Sequence, residues 1–217
     1  MPTPVFFYFL IFSILAGISV YFRKAEPLYL KLLPIFLAMT IVVEYVGHWM
    51  YWRFGTSTPL YNFNIVFNFT FYLYVLREII SDKTFKRISL ATIIGYLLYT
   101  MINMFYIQGL DVWNSMSYSL GCLLIVAGSI YYFFELFKKP KSTRLTKEPA
   151  FWIVSGLLFF FCCSFPFLGL NNLLNDAPEV LKKNLMTILA VLNILLYVLF
   201  AIAFLCRYDF RRPHPGN

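Results

Sequence analysis

Charge is the scarcest resource in this chain. Only 13% of its 217 residues are Asp, Glu, Lys or Arg, against about 25% in an ordinary soluble domain. So few charges cannot cover the surface of a water-soluble protein of this length, whereas a lipid-facing surface needs few. Histidine is scarcer still, at two, His48 and His214, and there are four cysteines, Cys122, Cys162, Cys163 and Cys206. All four cysteines fall within apolar runs and none is spaced as CxxC, so a disulfide framework is excluded as a reading. A catalytic zinc site usually takes three protein ligands, and bis-histidine haem ligation takes two histidines in one place. With one histidine in an apolar run and the other in the basic tail, no metal and no cofactor is expected. GxSxG, HExxH, P-loop and GxGxxG patterns are also missing, which removes the common signatures of hydrolases and nucleotide-binding enzymes.

Apolar residues fill the space: 60% are hydrophobic and 21% aromatic, and the mean hydropathy is +0.71. Crossing a hydrocarbon core takes about 20 apolar residues in a helix. Seven runs qualify, at about 4–22, 29–52, 61–80, 88–107, 115–137, 150–170 and 184–206. They lack period-2 alternation, so they read as helices and not as barrel strands. The expected fold is therefore an all-α integral membrane protein, one seven-transmembrane-helix bundle spanning residues 1–217, with no soluble domain. The first run has no basic residue before it and Arg23-Lys24 after it, the reverse of a cleaved signal peptide, so it reads as a retained helix.

The charges that do occur are ordered. The net charge is +8, yet the lysines and arginines sit in short clusters between apolar runs, with no aromatic-interleaved basic stripe. That placement argues for lipid head groups and against nucleic acid. Threading seven spans puts fifteen Lys and Arg on one side and only Arg53, Lys182 and Lys183 on the other. The basic side is cytoplasmic by the positive-inside rule. The N-terminus is then expected outside and the C-terminus inside, in a bacterial inner or other plasma membrane. The basic stretches Lys138–Lys147 and Arg207–Arg212 read chiefly as topology determinants and lipid contacts, and they are also the surfaces open to a cytoplasmic partner.

Polar side chains at depth are the informative ones, because lipid penalises them. Glu44 is the one acid well inside a run, about 12 Å below Trp52 by helical rise. Thr40 precedes it and His48 follows it by one turn. The next run carries Tyr61, Asn64, Asn68 and Tyr72, and the fourth carries Thr92, Tyr96, Tyr99, Asn103 and Tyr106. Tyr118, Ser164 and Asn193 extend the set to runs five, six and seven. Most of these residues share the outer half of the membrane, while the first run, with only Ser13 and Ser19, is expected at the periphery. Asn and Tyr commonly hydrogen-bond across membrane helices merely to hold them together, so interhelical glue is a competing reading. The sequence nominates Glu44, His48, Tyr61, Asn64, Asn68, Tyr99, Asn103, Tyr118 and Asn193 as a ligand-binding cluster, with no catalytic residue assigned.

Seven helices with an outer N-terminus resemble the layout of microbial rhodopsins and seven-helix receptors in helix count and direction alone. The lysine that would carry retinal in the last helix is replaced here by Asn193 and Tyr197 at depth, and the D/E-R-Y motif of receptors is missing. The leading expectation is a small sensor or receptor-like protein binding a small molecule, lipid or ion in an outward-facing polar cavity. Its output would need a cytoplasmic partner. A proton-coupled transporter or transporter subunit using Glu44 and His48, and a membrane-embedded lipid-modifying enzyme, are the alternatives.

Overall fold

The structure, a computed structural model, describes residues 5–23, 26–138, 145–169 and 178–207. Residues 139–144 of the basic loop, 208–212 of the basic tail and His214 lie outside them. Among the described residues there are seven α-helices and no strand: α1 (Phe6–Ile18), α2 (Leu28–Phe54), α3 (Thr58–Ile79), α4 (Lys83–Ile102), α5 (Ser115–Lys138), α6 (Pro149–Ser164) and α7 (Glu179–Leu205). A 3-10 turn over Ser19–Phe22 extends α1. Single π turns, Asn103–Ile107 and Phe165–Gly169, extend α4 and α6.

Local chemistry sets the helix ends. Pro27 precedes α2 in extended conformation, Pro59 and Pro149 sit in the first turns of α3 and α6, and Pro178 precedes α7, where a missing N–H costs nothing. Gly55 ends α2 at φ 76°, a left-handed conformation open to glycine, and its N–H returns to the Tyr51 carbonyl at 2.9 Å. Asp82 caps α4 by accepting from the Thr84 N–H at 2.7 Å.

Five helical segments are long and apolar enough to cross a membrane: Leu28–Phe54, Lys83–Ile107, Ser115–Lys138, Pro149–Gly169 and Val180–Leu205. The apolar stretch Phe6–Phe22 is shorter. The helix α3 has the length, with 22 residues, but it carries Asn62, Asn64, Asn68, Thr70, Arg77 and Glu78, which dilute its hydropathy. Its burial explains how it holds them. Asn62, Ile65, Val66, Phe69, Tyr72, Leu73, Val75 and Leu76 are all buried, so much of α3 faces protein and not the surroundings.

Helix–helix contacts trace a closed ring, α1–α2–α3–α5–α6–α7 and back to α1. The remaining helix, α4, packs on α3 and to a lesser extent on α5. Close approach at the α1–α2 contact depends on Gly17, where an added Cβ would stand 2.6 Å from the Pro34 ring. Small residues serve this purpose wherever helix backbones come together in lipid.

At one end of the ring a polar tie links three elements. Arg23 donates to the Phe204 carbonyl at 2.5 Å, at the C-terminus of α7, and to Ser19 Oγ at 3.3 Å. Arg207 pairs with Glu26 at 3.2 Å and with Glu148, at the start of α6, at 3.1 Å. Above this tie lies a layer of wholly buried apolar side chains, including Leu30, Leu33, Leu37, Leu76, Ile153, Phe200 and Phe204. The polar interior begins beyond that layer, toward the end that bears the α2–α3 and α4–α5 connections.

Candidate functional site

Five of the six ring helices converge on a cavity of ≈ 220 Å³. From α2 come Thr40 and Glu44, one turn apart. From α3 come Tyr61, Asn64 and Asn68, at the i, i+3, i+7 spacing that puts them on one face, with Ile65, Phe69 and Tyr72 beside them. Trp113 and Tyr118 enter from the start of α5, Phe160, Phe161 and Leu168 from α6 and its π turn, and Asn193, Leu196 and Tyr197 from α7. Neither α1 nor α4 contributes.

The polar groups on this wall fall into two kinds. Some are held: Tyr61 donates to the Glu44 carboxylate at 3.0 Å, and the Tyr118 and Ser164 hydroxyls lie 3.0 Å apart. Trp113 Nε1 donates to the Leu168 carbonyl at 3.1 Å, and Thr40 turns back to the Phe36 carbonyl of its own helix at 3.1 Å. Others have capacity left. Asn193 donates to the Leu189 carbonyl at 2.9 Å through Nδ2, which leaves its oxygen facing outward from that bond. Asn64 and Asn68 are half-buried and spend no side-chain hydrogen bond on the described residues.

Beneath the polar wall the floor is aromatic. The Phe69 ring meets Tyr118 edge-on at 5.2 Å and Phe161 at 5.1 Å, and Tyr72 meets Phe161 at 5.6 Å. These are the offset and edge-to-face separations at which aromatic pairs attract. The Phe165–Gly169 π turn widens the end of α6 enough to present the Leu168 carbonyl to Trp113 and the Gly169 carbonyl to Ser119 Oγ, at 3.1 Å each. Such turns occur frequently at functional sites.

Of the nine residues nominated from the sequence, Glu44, Tyr61, Asn64, Asn68, Tyr118 and Asn193 line the cavity. His48, Tyr99 and Asn103 do not. His48 is exposed: one turn beyond Glu44 the helix has rotated by about 40°, and the Tyr61 ring lies over Gly47, not over His48. Tyr99 is half-buried on α4, outside the ring. Asn103 is wholly buried in a second polar cluster, where its Nδ2 faces Gln108 Oε1 at 2.8 Å, Asn114 Oδ1, and Ser117 Oγ at 3.2 Å.

That cluster was not legible as a unit. Its anchor is Asn62, wholly buried, which donates to the Leu110 and Val112 carbonyls at 2.9 and 2.8 Å and accepts from the Asn114 N–H at 2.9 Å. Asn62 thereby pins the α4–α5 connection to α3. Asn114 in turn accepts from the Ser117 N–H at 3.3 Å, an N-cap arrangement for α5 that the Asn-Ser-Met-Ser order could have signalled.

No family model, curated protein or solved structure shows a match to this chain. The functional reading therefore stands on the geometry. Among the described residues no three His, Cys, Asp or Glu side chains cluster as a metal would require. The cavity offers one carboxylate, three carboxamides and an aromatic lining, a constellation for binding a small molecule by hydrogen bonds, charge and ring faces.

Proposed function

We propose that this chain is a seven-span plasma-membrane protein that binds a small ligand in its polar cavity from outside the cell and passes the event to a cytoplasmic partner. In this reading α1 and α3 complete the set of spans, the N-terminus lies outside, and the tied end with Arg23 and Arg207 lies in the cytoplasm. The carrying observation is the convergence of Glu44, Asn64, Asn68 and Asn193 from three helices on one cavity. Interhelical glue would spend its amides on neighbouring helices, yet Asn64 and Asn68 spend none on the described residues.

The apolar layer between the cavity and the tied end supports a site open on one side only, as a sensor needs. A proton-coupled carrier built on Glu44 and His48 gains no support from an exposed His48, and it would need a second path through that layer. The chain would act through the shape of its tied end.

Cysteine accessibility tests the reading. In a background without native cysteines, Ser57→Cys and Gly109→Cys should react with a membrane-impermeant thiol reagent applied outside intact cells, and Thr146→Cys should not. Asn64→Cys and Asn68→Cys should react from the same side, more slowly than Ser57→Cys and much faster than Asn62→Cys. Reaction of Thr146→Cys from outside, or of Asn68→Cys from the cytoplasmic side alone, would refute the proposal.

A further inference from the structure

The charges on the cavity wall do not balance. Among the described residues Glu44 is the one acid on that wall, and no described lysine, arginine or histidine lines the cavity. Tyr61 supplies a hydrogen bond at 3.0 Å but no positive charge. A carboxylate withdrawn from water is costly unless it takes up a proton or a cation stands beside it, and the described wall provides no cation. The position beside Glu44 is one that a cationic ligand can take.

What surrounds that position narrows the class. Tyr61, Tyr72, Trp113, Tyr118 and Tyr197 share the wall with Glu44. Ring faces carry negative potential and attract cations, most effectively those with a thin hydration shell such as alkylammonium groups. Anions would meet the same ring faces and a carboxylate, and would be repelled. A bare inorganic ion wants a close shell of oxygens, whereas much of this wall is ring and aliphatic carbon. Asn64 and Asn68 can accept from an N–H or hydroxyl of the ligand.

Taking the cavity as a ligand site, we infer that its ligand is a small organic monocation, a primary or quaternary ammonium with an apolar body. Its charged head sits against Glu44, and its carbon surface lies on the Phe69–Tyr118–Phe161 floor.

The experiment compares charge at constant shape. Full-length protein in lipid nanodiscs is melted with choline, with its neutral isostere 3,3-dimethyl-1-butanol, with tetramethylammonium, with phenethylammonium, and with sodium chloride at matched ionic strength. At least one of the organic cations should raise the midpoint with saturation, while the neutral isostere and sodium give no saturating shift. Glu44→Gln should weaken the apparent affinity for that cation at least tenfold, and Asn68→Leu should weaken it as well. The choline pair uses the unaltered protein, so the charge test survives if Glu44→Gln fails to fold. Saturable binding of the neutral isostere equal to choline, lost in Asn68→Leu, overturns the cation class and leaves the cavity a ligand site. A saturating shift with sodium alone overturns the organic part of the inference. No saturable shift with any probe overturns the inference and counts against the ligand site itself.

Discussion

Tyr61 reaches back from the first turn of α3 to donate a 3.0 Å hydrogen bond to Glu44 on α2, and its ring lies over Gly47 on the way. A Cβ at position 47 would stand 2.8 Å from the Tyr61 hydroxyl and 3.0 Å from its Cζ. Glycine at 47 is therefore what lets Tyr61 arrive. Gly47→Ala should tilt the tyrosine away and break its bond to Glu44 at a cost of about 1–2 kcal/mol. The fold should survive, and Tyr61→Phe should reproduce the loss of the bond without the steric push. Infrared difference spectra of the Glu44 carboxyl should shift alike in the two variants. An unmoved band in Gly47→Ala would mean that Tyr61 does not depend on that glycine.

Asn62 secures the α4–α5 connection through three hydrogen bonds in a fully buried place. Replacing it by leucine keeps the bulk and abandons two carbonyls and an N–H. A loss of about 2–4 kcal/mol is expected, since each stranded group costs about 1 kcal/mol or more. Trp113 sits within that connection, so its fluorescence should redden in Asn62→Leu before global unfolding. A variant with wild-type melting and emission would show that the connection holds itself.

Two glycines make a contrasting pair. At Gly121 an added Cβ would come within 2.5 Å of Phe69 Cγ, and Phe69 is only 1% exposed, its ring held among those of Tyr96, Tyr118 and Phe161. At Gly95, in the middle of α4, a Cβ meets nothing within 4 Å. Gly121→Ala should lower stability by about 1–3 kcal/mol through overpacking. Gly95→Ala should raise it by roughly 0.5–1 kcal/mol through the smaller backbone entropy lost on folding. Thermal melts in one detergent decide the order, and a reversed order would contradict the packing described around Phe69.

Acid should expose the cap of α4. Hydrogen bonds from Tyr131 first, and from the Thr84 N–H next, hold the Asp82 carboxyl below its ordinary 3.8. A carboxyl depressed by folding stabilises the folded state above its unfolded value, and this contribution fades as pH falls through the lower, folded value. Asn caps helices about as well as Asp, so Asp82→Asn isolates the charge. The gap in melting temperature between wild type and Asp82→Asn should hold from pH 7 to pH 5 and close below pH 4. A gap unchanged at pH 3 would refute the assignment.

The helices were legible where length and apolar content coincide, as in the runs that became α2, α4, α5, α6 and α7. Prolines and Gly55 stand at several of the helix ends. Helix α3 shows the limit of hydropathy, because its asparagines are compatible with burial only once α2, α5 and the connection at Leu110 surround it. The helical period put Glu44, Asn64 and Asn68 at comparable depth, but it could not say which way a neighbouring turn faces. His48 and Asn62 illustrate both sides of this. One is a turn from Glu44 yet exposed, and the other adjoins Tyr61 yet points into a separate cluster. Orientation about a helix axis is decided by contacts distant in sequence, and a single chain read along its length carries no direct sign of them.

The ring closes between its first and last helices, and the Arg23 bond to the Phe204 carbonyl spans 181 positions of sequence. Translation at about 5–20 residues per second separates the emergence of those two residues by roughly 9–36 s. Throughout that interval the flank of α1 destined for α7 has no mate of its own chain, and Gly17, which ends against Phe204 as well as Pro34, is covered from one side only. Whatever receives the nascent chain must shelter this half-made seam, so ribosome pausing or a stop codon before α7 would strand α1 with a flank shaped for a helix that never arrives.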